Sequence, residues 1–376
     1  MLDTTLSVSE IASWLRETDA AKLNELYSLA NETRRANVGD AVWLRGLLEI
    51  SNHCRRNCLY CGARASRKTT RYRMTREEIL EGARLANEYQ FGTLVIQAGE
   101  DLGLEKNFIA EIISEIKERH ALAITLSLGE RSTEEWSLWK KAGADRYLLR
   151  FETSNRELFH VAHPPIDGES VSRIEQLKQL REIGYEVGSG VMIGMPGQSY
   201  DDLARDLALF RDLELDMIGC GPYLPHDATP MGVAKPHDGY WRSSSRELKT
   251  TSQDEFCFRV TPDQVPNTVE SAFKVVALAR ILCPKANIPS TTAVATLEPN
   301  AGRKNALERG ANVVMPNLTP RKYRKFYDIY PNKASTNDDA EETRRLALKL
   351  IAEMGRFQGT GAGSSPHFQA RRATNA

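Results

Sequence analysis

The sequence predicts an α/β chain folded as a complete (β/α)8 TIM barrel, with helices before it and a helix plus a flexible tail after it. Three observations carry that prediction. Short apolar runs and amphipathic helical stretches alternate eight times across residues 41–330. Such alternation implies a parallel sheet, and eight units imply closure. Runs such as Leu94-Val95-Ile96 and Val313-Val314-Met315 are apolar at consecutive positions, as strands buried on both faces must be. Polar residues recur where the runs end: Gln97 and Glu100, Thr125 and Ser127, Arg150 and Glu152, Thr291 and Thr292. In barrels of this kind the chemistry sits at the C-terminal ends of the strands.

Taken in order, residues 1–40 form a helical cap. Ser7 or Ser9 starts a segment carrying Ile11, Trp14 and Leu15, and Leu23, Leu26, Tyr27 and Leu29 follow at helical spacing. We expect this cap over the bottom of the barrel. The barrel itself spans 41–330. A strand at 43–51 leads into a cysteine loop at 54–62. Thr75 and Glu78 form a capping box for a helix to about 89. Strands at 93–98, 121–128, 146–152, 186–193 and 217–223 alternate with helices at 105–119, 132–141, 170–183 and 200–213. A long connection at 227–266 precedes a helix at 268–282. Loops of that length are functional or disordered, and both a cover over the mouth and a surface insertion remain open. A strand at 287–292, a helix at 303–309, a strand at 312–315 and a helix at 322–327 complete the barrel. In the region 331–376, a linker leads to a helix at 340–354 bearing Leu346, Leu348, Leu350 and Ile351. The tail from Gly359, rich in Gly, Ser, Ala and Arg, reads as disordered.

The chain has 376 residues, with Lys plus Arg and Asp plus Glu equal at 50 each. No global field therefore favours nucleic acid or an anionic membrane. No apolar run approaches the ~18 residues that would span a bilayer. The N-terminus lacks the plan of a secretory signal, so the expected compartment is the cytoplasm. Six cysteines, three of them in one loop and Cys220, Cys257 and Cys283 scattered, suggest a metal site and ordinary thiols. A disulfide framework would look different.

Cys54, Cys58 and Cys61, spaced Cys-x3-Cys-x2-Cys, can converge on one metal centre from a single loop. A four-iron cluster normally takes four thiolates, so three leave one iron open to a ligand. Structural zinc would need a fourth ligand, and His53, adjacent to Cys54, is poorly placed to be one.

This spacing, with Tyr60 before the last cysteine, resembles the signature of the radical S-adenosylmethionine (SAM) enzymes. The resemblance extends over about residues 20–356, through stretches 49–62, 71–75, 97–101, 125–130, 143–153, 184–198, 221–226, 288–293 and 310–317. It is nearest to the HydE group of FeFe-hydrogenase maturases, with biotin synthase and methylornithine synthase more distant. The resemblance implies one 4Fe-4S cluster on Cys54, Cys58 and Cys61, with SAM chelating the open iron. Electron transfer there would give methionine and a 5'-deoxyadenosyl radical. It also implies SAM contacts from Tyr60, Gly99, Glu100, Ser127, Glu152, Arg173 and Ile193. A zwitterionic amino acid needs an acceptor for its ammonium, here the segment ending at Glu100, and an Arg for its carboxylate, here Arg173. Gln97, Arg150, Thr291, Thr292 and Tyr323 would line a deeper substrate site, with Arg150 as an anion clamp. The implied substrate is a small sulfur or iron-thiolate compound used in hydrogenase cofactor assembly. The implied partners are reduced ferredoxin or flavodoxin and other maturation proteins, with no nucleic acid or membrane. Other readings compete: a HydE-like radical SAM enzyme, or an amino-acid mutase resembling methylornithine synthase, with a different small substrate; and a non-catalytic iron–sulfur scaffold. The chain departs from the HydE group in two places. It has no cysteines at 331–345 for a second cluster, and its 227–266 connection is longer.

Overall fold

The computed structural model describes residues 6–166, 172–243, 255–334 and 336–374. Its strands, in chain order, begin with β1 (Ala41–Ser51), β2 (Thr93–Ala98), β3 (Ala123–Ser127), β4 (Arg146–Leu148) and β5 (Glu186–Ser189). Then come β6 (Met192–Ile193), β7 (Met217–Ile218) and β8 (Gly221–Pro222). The last are β9 (Lys235–His237), β10 (Tyr240–Arg242), β11 (Cys257–Arg259), β12 (Val313–Val314) and β13 (Phe357–Gln358). Seven strands form a curled parallel sheet in the order β12-β1-β2-β3-β4-β5-β7, and β13 extends it by pairing with the start of β1. Helices pack on its outer face over a core that includes Ile112, Ile116, Trp136 and Tyr147. Serine and threonine caps start these helices as the sequence predicts: Thr75 and Glu78 form a reciprocal capping box, and so do Ser132 and Glu135.

The predicted strand at 287–292 is reduced to two single parallel bridges, Met217 to Asn287 and Pro289 to Val313. Pro289 has no N–H to donate. Thr291 then turns the chain into the helix Thr292–Leu297, whose Val294 N–H its side chain caps. The predicted strands 146–152, 186–193 and 217–223 are also cut short. β4 stops at Leu148, four residues before Glu152, whose φ of 61° is incompatible with an extended strand. The stretches 186–193 and 217–223 each split in two. Their second halves, β6 and β8, pair with each other as a small sheet at the rim.

Two expectations about the ends of the barrel are corrected. The N-terminal helices Val8–Arg16 and Ala20–Val38 do not cover the bottom. They lie on the flank against the helices Tyr200–Asp212 and Val269–Leu282. There Lys274 donates to the carbonyl of Leu15 and Arg16 pairs with Asp201. The bottom is filled by the tail read as disordered. The Ala362 carbonyl accepts from Thr93 Oγ1 and Arg146 Nη2, and the Gly363 carbonyl accepts from Arg45 Nη2 and Asn287 Nδ2. Ser365 donates its N–H to Glu186 and its hydroxyl to Asp216. Thr93, Arg146 and Glu186 are the first residues of β2, β4 and β5, so these bonds lie at the N-terminal ends of the strands. The tail is ordered because its carbonyls satisfy buried cations and its glycines allow close approach. A Cβ on Gly363 would sit 2.5 Å from the Trp43 ring. It ends in the helix Pro366–Thr374.

The long connection is also ordered where it is described. A short helix, Pro230–Val233, is followed by an antiparallel sheet in the order β11-β10-β9. Residues Ser244 and Ser245 of its serine run lie outside the described residues. Among the described residues no helix is long and apolar enough to cross a membrane.

Candidate active site

The cysteine loop leaves β1 at Ser51 and is held by charged side chains from its neighbours. Arg71 donates to the carbonyls of Asn52, Ala63, Arg64 and Arg67, clasping both ends of the loop. Arg55 and Arg56 both reach Glu100 Oε1, at 2.7 and 2.9 Å, and Arg56 continues to Glu130 at 2.5 Å. Two sulfurs accept backbone N–H bonds of 3.4 Å, Cys54 from Glu100 and Cys61 from Ala63. All three thiols are free of disulfides. Burial pushes each of them up, Cys61 to about 12, so the bare thiols hold their protons at neutral pH. Binding a cationic iron–sulfur group would release those protons.

This donor set fits a cluster with one open position. Three sulfurs come from one rigid loop, N–H donors already point at two of them, and Gly99 lies directly behind. A Cβ on Gly99 would meet the His53 carbonyl at 2.2 Å and Cys54 Cβ at 2.9 Å. A single zinc ion, with Zn–S near 2.3 Å, needs its sulfurs within roughly 4 Å of one another. Among the described residues no three His, Cys, Asp or Glu side chains are gathered closely enough to hold one metal ion.

Two contiguous cavities open beside the loop. The outer one, about 260 Å³, is lined by Cys58, Tyr60, Cys61, Glu152, Arg173 and Tyr223 among others. The inner one, about 300 Å³, runs down the barrel past Glu49, Gln97, Thr125, Thr291, Thr292 and Lys333. Ser127, Arg150 and Tyr330 line both. Several polar atoms on these walls are buried without a hydrogen-bond partner: Glu152 Oε2, Arg150 Nε, Tyr223 Oη and Thr125 Oγ1. Glu152 Oε2 lies 3.1 Å from Arg150 Nη2 without an aligned bond. Orphaned polar groups are rare in folded proteins, and four on one pair of cavities mark a place for a polar ligand.

Arg173 opens the helix Arg173–Glu182 and points into the outer cavity. Its guanidinium donates to Glu130 at 2.8 Å and to the Arg150 carbonyl at 2.7 Å, and meets His163 Nε2 at 2.5 Å. Burial and the adjacent Arg173 charge push the His163 imidazole well below its usual range, so it accepts as the neutral ring. Glu152 is presented by its left-handed backbone, held by its N–H to Gly190 and its carbonyl to Met192.

Most of the predicted residues meet here, and five do not line the cavities: Cys54 of the cysteine loop, and Gly99, Glu100, Ile193 and Tyr323, which are placed elsewhere. Glu100 is consumed by Arg55 and Arg56 behind the cysteine loop, and its carboxylate also accepts from the Glu130 N–H. Gly99 serves the close approach just described. Ile193 turns into the core, and its neighbour Met192 lines the outer cavity instead. Tyr323 stacks on Tyr72 at 4.4 Å and donates to Glu78 at 3.0 Å on the outside of the barrel. Tyr327, four residues later and beyond the helix Arg321–Arg324, reaches the inner cavity and accepts from Gln97 Nε2. Sequence reasoning missed Glu49, Tyr327, Tyr330 and Lys333. A glutamate inside the apolar run of β1 was a usable signal; a lysine in a polar linker was not. Lys333 reaches Glu49, both side chains almost fully buried. Its segment crosses the mouth as a strap, tied through Asp328 to Arg67 and His226 and through the Ile329 carbonyl to Gly62.

A curled parallel sheet with a three-cysteine loop after its first strand and polar cavities at the C-terminal ends defines a class of enzyme. The sequence profile of the radical SAM superfamily matches residues 48–210, and the chain belongs to that superfamily. It is 43% identical over 339 residues to the [FeFe] hydrogenase maturase subunit HydE of Thermotoga maritima, covering 90% of this chain and 88% of that one. It is 24% identical to the 3-methylornithine synthase of Methanosarcina acetivorans, covering 97% and 92%. The crystal structure of methylornithine synthase (PylB) superposes with a TM-score of 0.76 at 21% identity, covering 98% of this chain and 96% of that one. The chain is thus a radical SAM enzyme closely related to HydE.

Proposed function

We propose that this enzyme cleaves SAM reductively at one 4Fe-4S cluster held by Cys54, Cys58 and Cys61. Its product radical would act on a small sulfur or iron-thiolate substrate, as a HydE-type maturase in FeFe-hydrogenase cofactor assembly. The observation that carries this reading is the outer cavity, walled by Cys58 and Cys61 on one side and opening into the barrel past Arg150. When bound, the cluster supplies the electron that breaks the sulfonium bond. The chain's own residues bind and orient. Arg173 faces the carboxylate of SAM, and Glu152 and Ser127 face its ribose and methionyl parts. Tyr60 and Met192 supply apolar surface. Arg150, with Thr291 and Thr292, holds an anionic group of the substrate, and Gln97 and Tyr327 line the far wall. The strap excludes water. The barrel is read as complete, with 287–289 bridging β7 and β12, and the enzyme as cytoplasmic, reduced by ferredoxin or flavodoxin.

Anaerobic reconstitution followed by assay of methionine and 5'-deoxyadenosine tests the reading. The parent should cleave SAM and Cys58→Ala should not; full cleavage by Cys58→Ala would sink it. An adenosyl–sulfur adduct would support the maturase role. Deuterium moving from substrate carbon into 5'-deoxyadenosine would instead support a mutase like the methylornithine synthases.

A further inference from the structure

The extended connection is fastened to both sides of the outer cavity. Met231 donates to the Leu59 carbonyl of the cysteine loop. Gln264 bridges the Gly197 N–H and the Met195 carbonyl on the opposite wall. Gly197 is φ +89°, and a Cβ there would lie 2.2 Å from the Phe258 ring, so β11 packs flush on that turn. The middle row of the small sheet is Pro236, Trp241 and Phe258 in cross-strand register. Trp241 and Phe258 pack inward with Leu59 and Tyr60. The sheet therefore roofs the cysteine loop.

By the two-residue alternation of strands, the flanking rows point outward. One is Lys235, Arg242 and Cys257; the other is His237, Tyr240 and Arg259. All six are exposed, and they carry three full positive charges and no carboxylate, in a chain whose 50 basic and 50 acidic residues cancel. Glu157 is engaged with Arg259 and Asp238 with His237. Lys235 and Arg242 have no acidic partner among the described residues, and Arg242 lies over the Tyr240 ring at 5.1 Å. Neither edge invites strand addition. Pro236 removes a donor from β9, and β11 lies against the helix Arg156–Ala162.

We propose that the outer face of this sheet is the docking surface for an acidic one-electron carrier protein, which delivers its electron to the cysteine loop beneath. This rests on the radical SAM reading above. The carrier is oxidised by one electron and the iron–sulfur group held by the thiolates is reduced by one, with no bond made and no proton moved. Complementary charge governs encounter more than residence, so the effect belongs in the association step and fades as salt screens it. Trp241 and Phe258 fill the space between the docked carrier and the loop.

The test uses the reconstituted full chain, an acidic flavodoxin as the probe and the double variant Lys235→Glu/Arg242→Glu. Both side chains are exposed, and neither pairs with an acidic group among the described residues. Calorimetry should show the variant binding oxidised flavodoxin roughly tenfold more weakly at low salt, converging with the parent at high salt. Stopped-flow reduction by flavodoxin should slow in step, while reduction by dithionite and binding of SAM stay as in the parent. Equal flavodoxin affinity in parent and variant overturns the proposal. So does a concentration-dependent dimer of the parent that the variant loses, since a second copy would then cover this face. If dithionite reduces neither chain, the iron–sulfur reading itself fails and takes this proposal with it; with dithionite active and flavodoxin indifferent, docking alone fails.

Discussion

Arg71 shows how much of the site is decided by single side chains that touch no ligand. One guanidinium gathers four carbonyls around the cysteine loop, which an ammonium on a flexible stem cannot do. Arg71→Lys should lower iron affinity roughly 10- to 100-fold, seen as iron and sulfide per chain after reconstitution, with the far-ultraviolet circular dichroism unchanged. Asp206 is buried and accepts from the Ser154 N–H and hydroxyl, while its second oxygen has no partner. Desolvation pushes its carboxyl up from 3.8 to about 7. Between those values the folded chain keeps a proton that the unfolded chain has released. Stability at this site is therefore full below pH about 3.8 and falls as pH rises to about 7. Asp206→Asn should remove that slope and raise the free energy of unfolding at pH 8 by a few kcal/mol, on the order of 1.4 per pKa unit; an unchanged unfolding free energy there would refute the assignment. The cysteines were legible because three thiols at fixed spacing have few uses. Tyr323 was misplaced because its one-turn helix, Arg321–Arg324, is too short to establish a face, and Tyr327 beyond it is the residue that turns inward.

Among the elements, the segment from Gly359 was the least legible. Composition predicts disorder for a Gly- and Ser-rich stretch because it cannot bury enough apolar surface. Here it is held instead by polar groups already buried under the barrel, which its backbone satisfies. Removing residues from Gly359 onward would strip Arg45 and Arg146 of carbonyl partners and Asp216 of Ser365 and Arg371. The truncated chain should lose about 3–5 kcal/mol in denaturant unfolding; equal stability would show the tail to be ornamental. Most helices were legible to within a few residues from their caps and apolar spacing. The first three strands were equally legible, but the ends of the later ones were not, because a glutamate at positive φ and a proline at a bridge end ladders that apolar runs alone would continue. The insertion could not be assigned from sequence since its strands are only three residues each, below the length at which alternation is a signal.

For the molecule as a whole, the proposed placement of SAM in the outer cavity makes its binding depend on the cysteine loop that walls that cavity. A ligand that binds only the folded state stabilises it by RT ln(1 + [L]/Kd), about 2.7 kcal/mol at a hundredfold excess over Kd. SAM should therefore raise the melting temperature of the reconstituted enzyme by several degrees, and by much less in Cys54→Ala/Cys58→Ala/Cys61→Ala. Equal shifts would separate the cofactor from the cysteines. The alternation that predicted an α/β barrel was visible because it repeats across the entire chain, whereas its closure depends on pairings no local pattern reveals. The Glu49 N–H finds its partner, Thr319, 270 residues away. Chain order puts the three thiols early and the strap that walls them late. During synthesis the three thiols therefore emerge long before the strap at 328–333, and the loop's wall closes only once most of the chain is available.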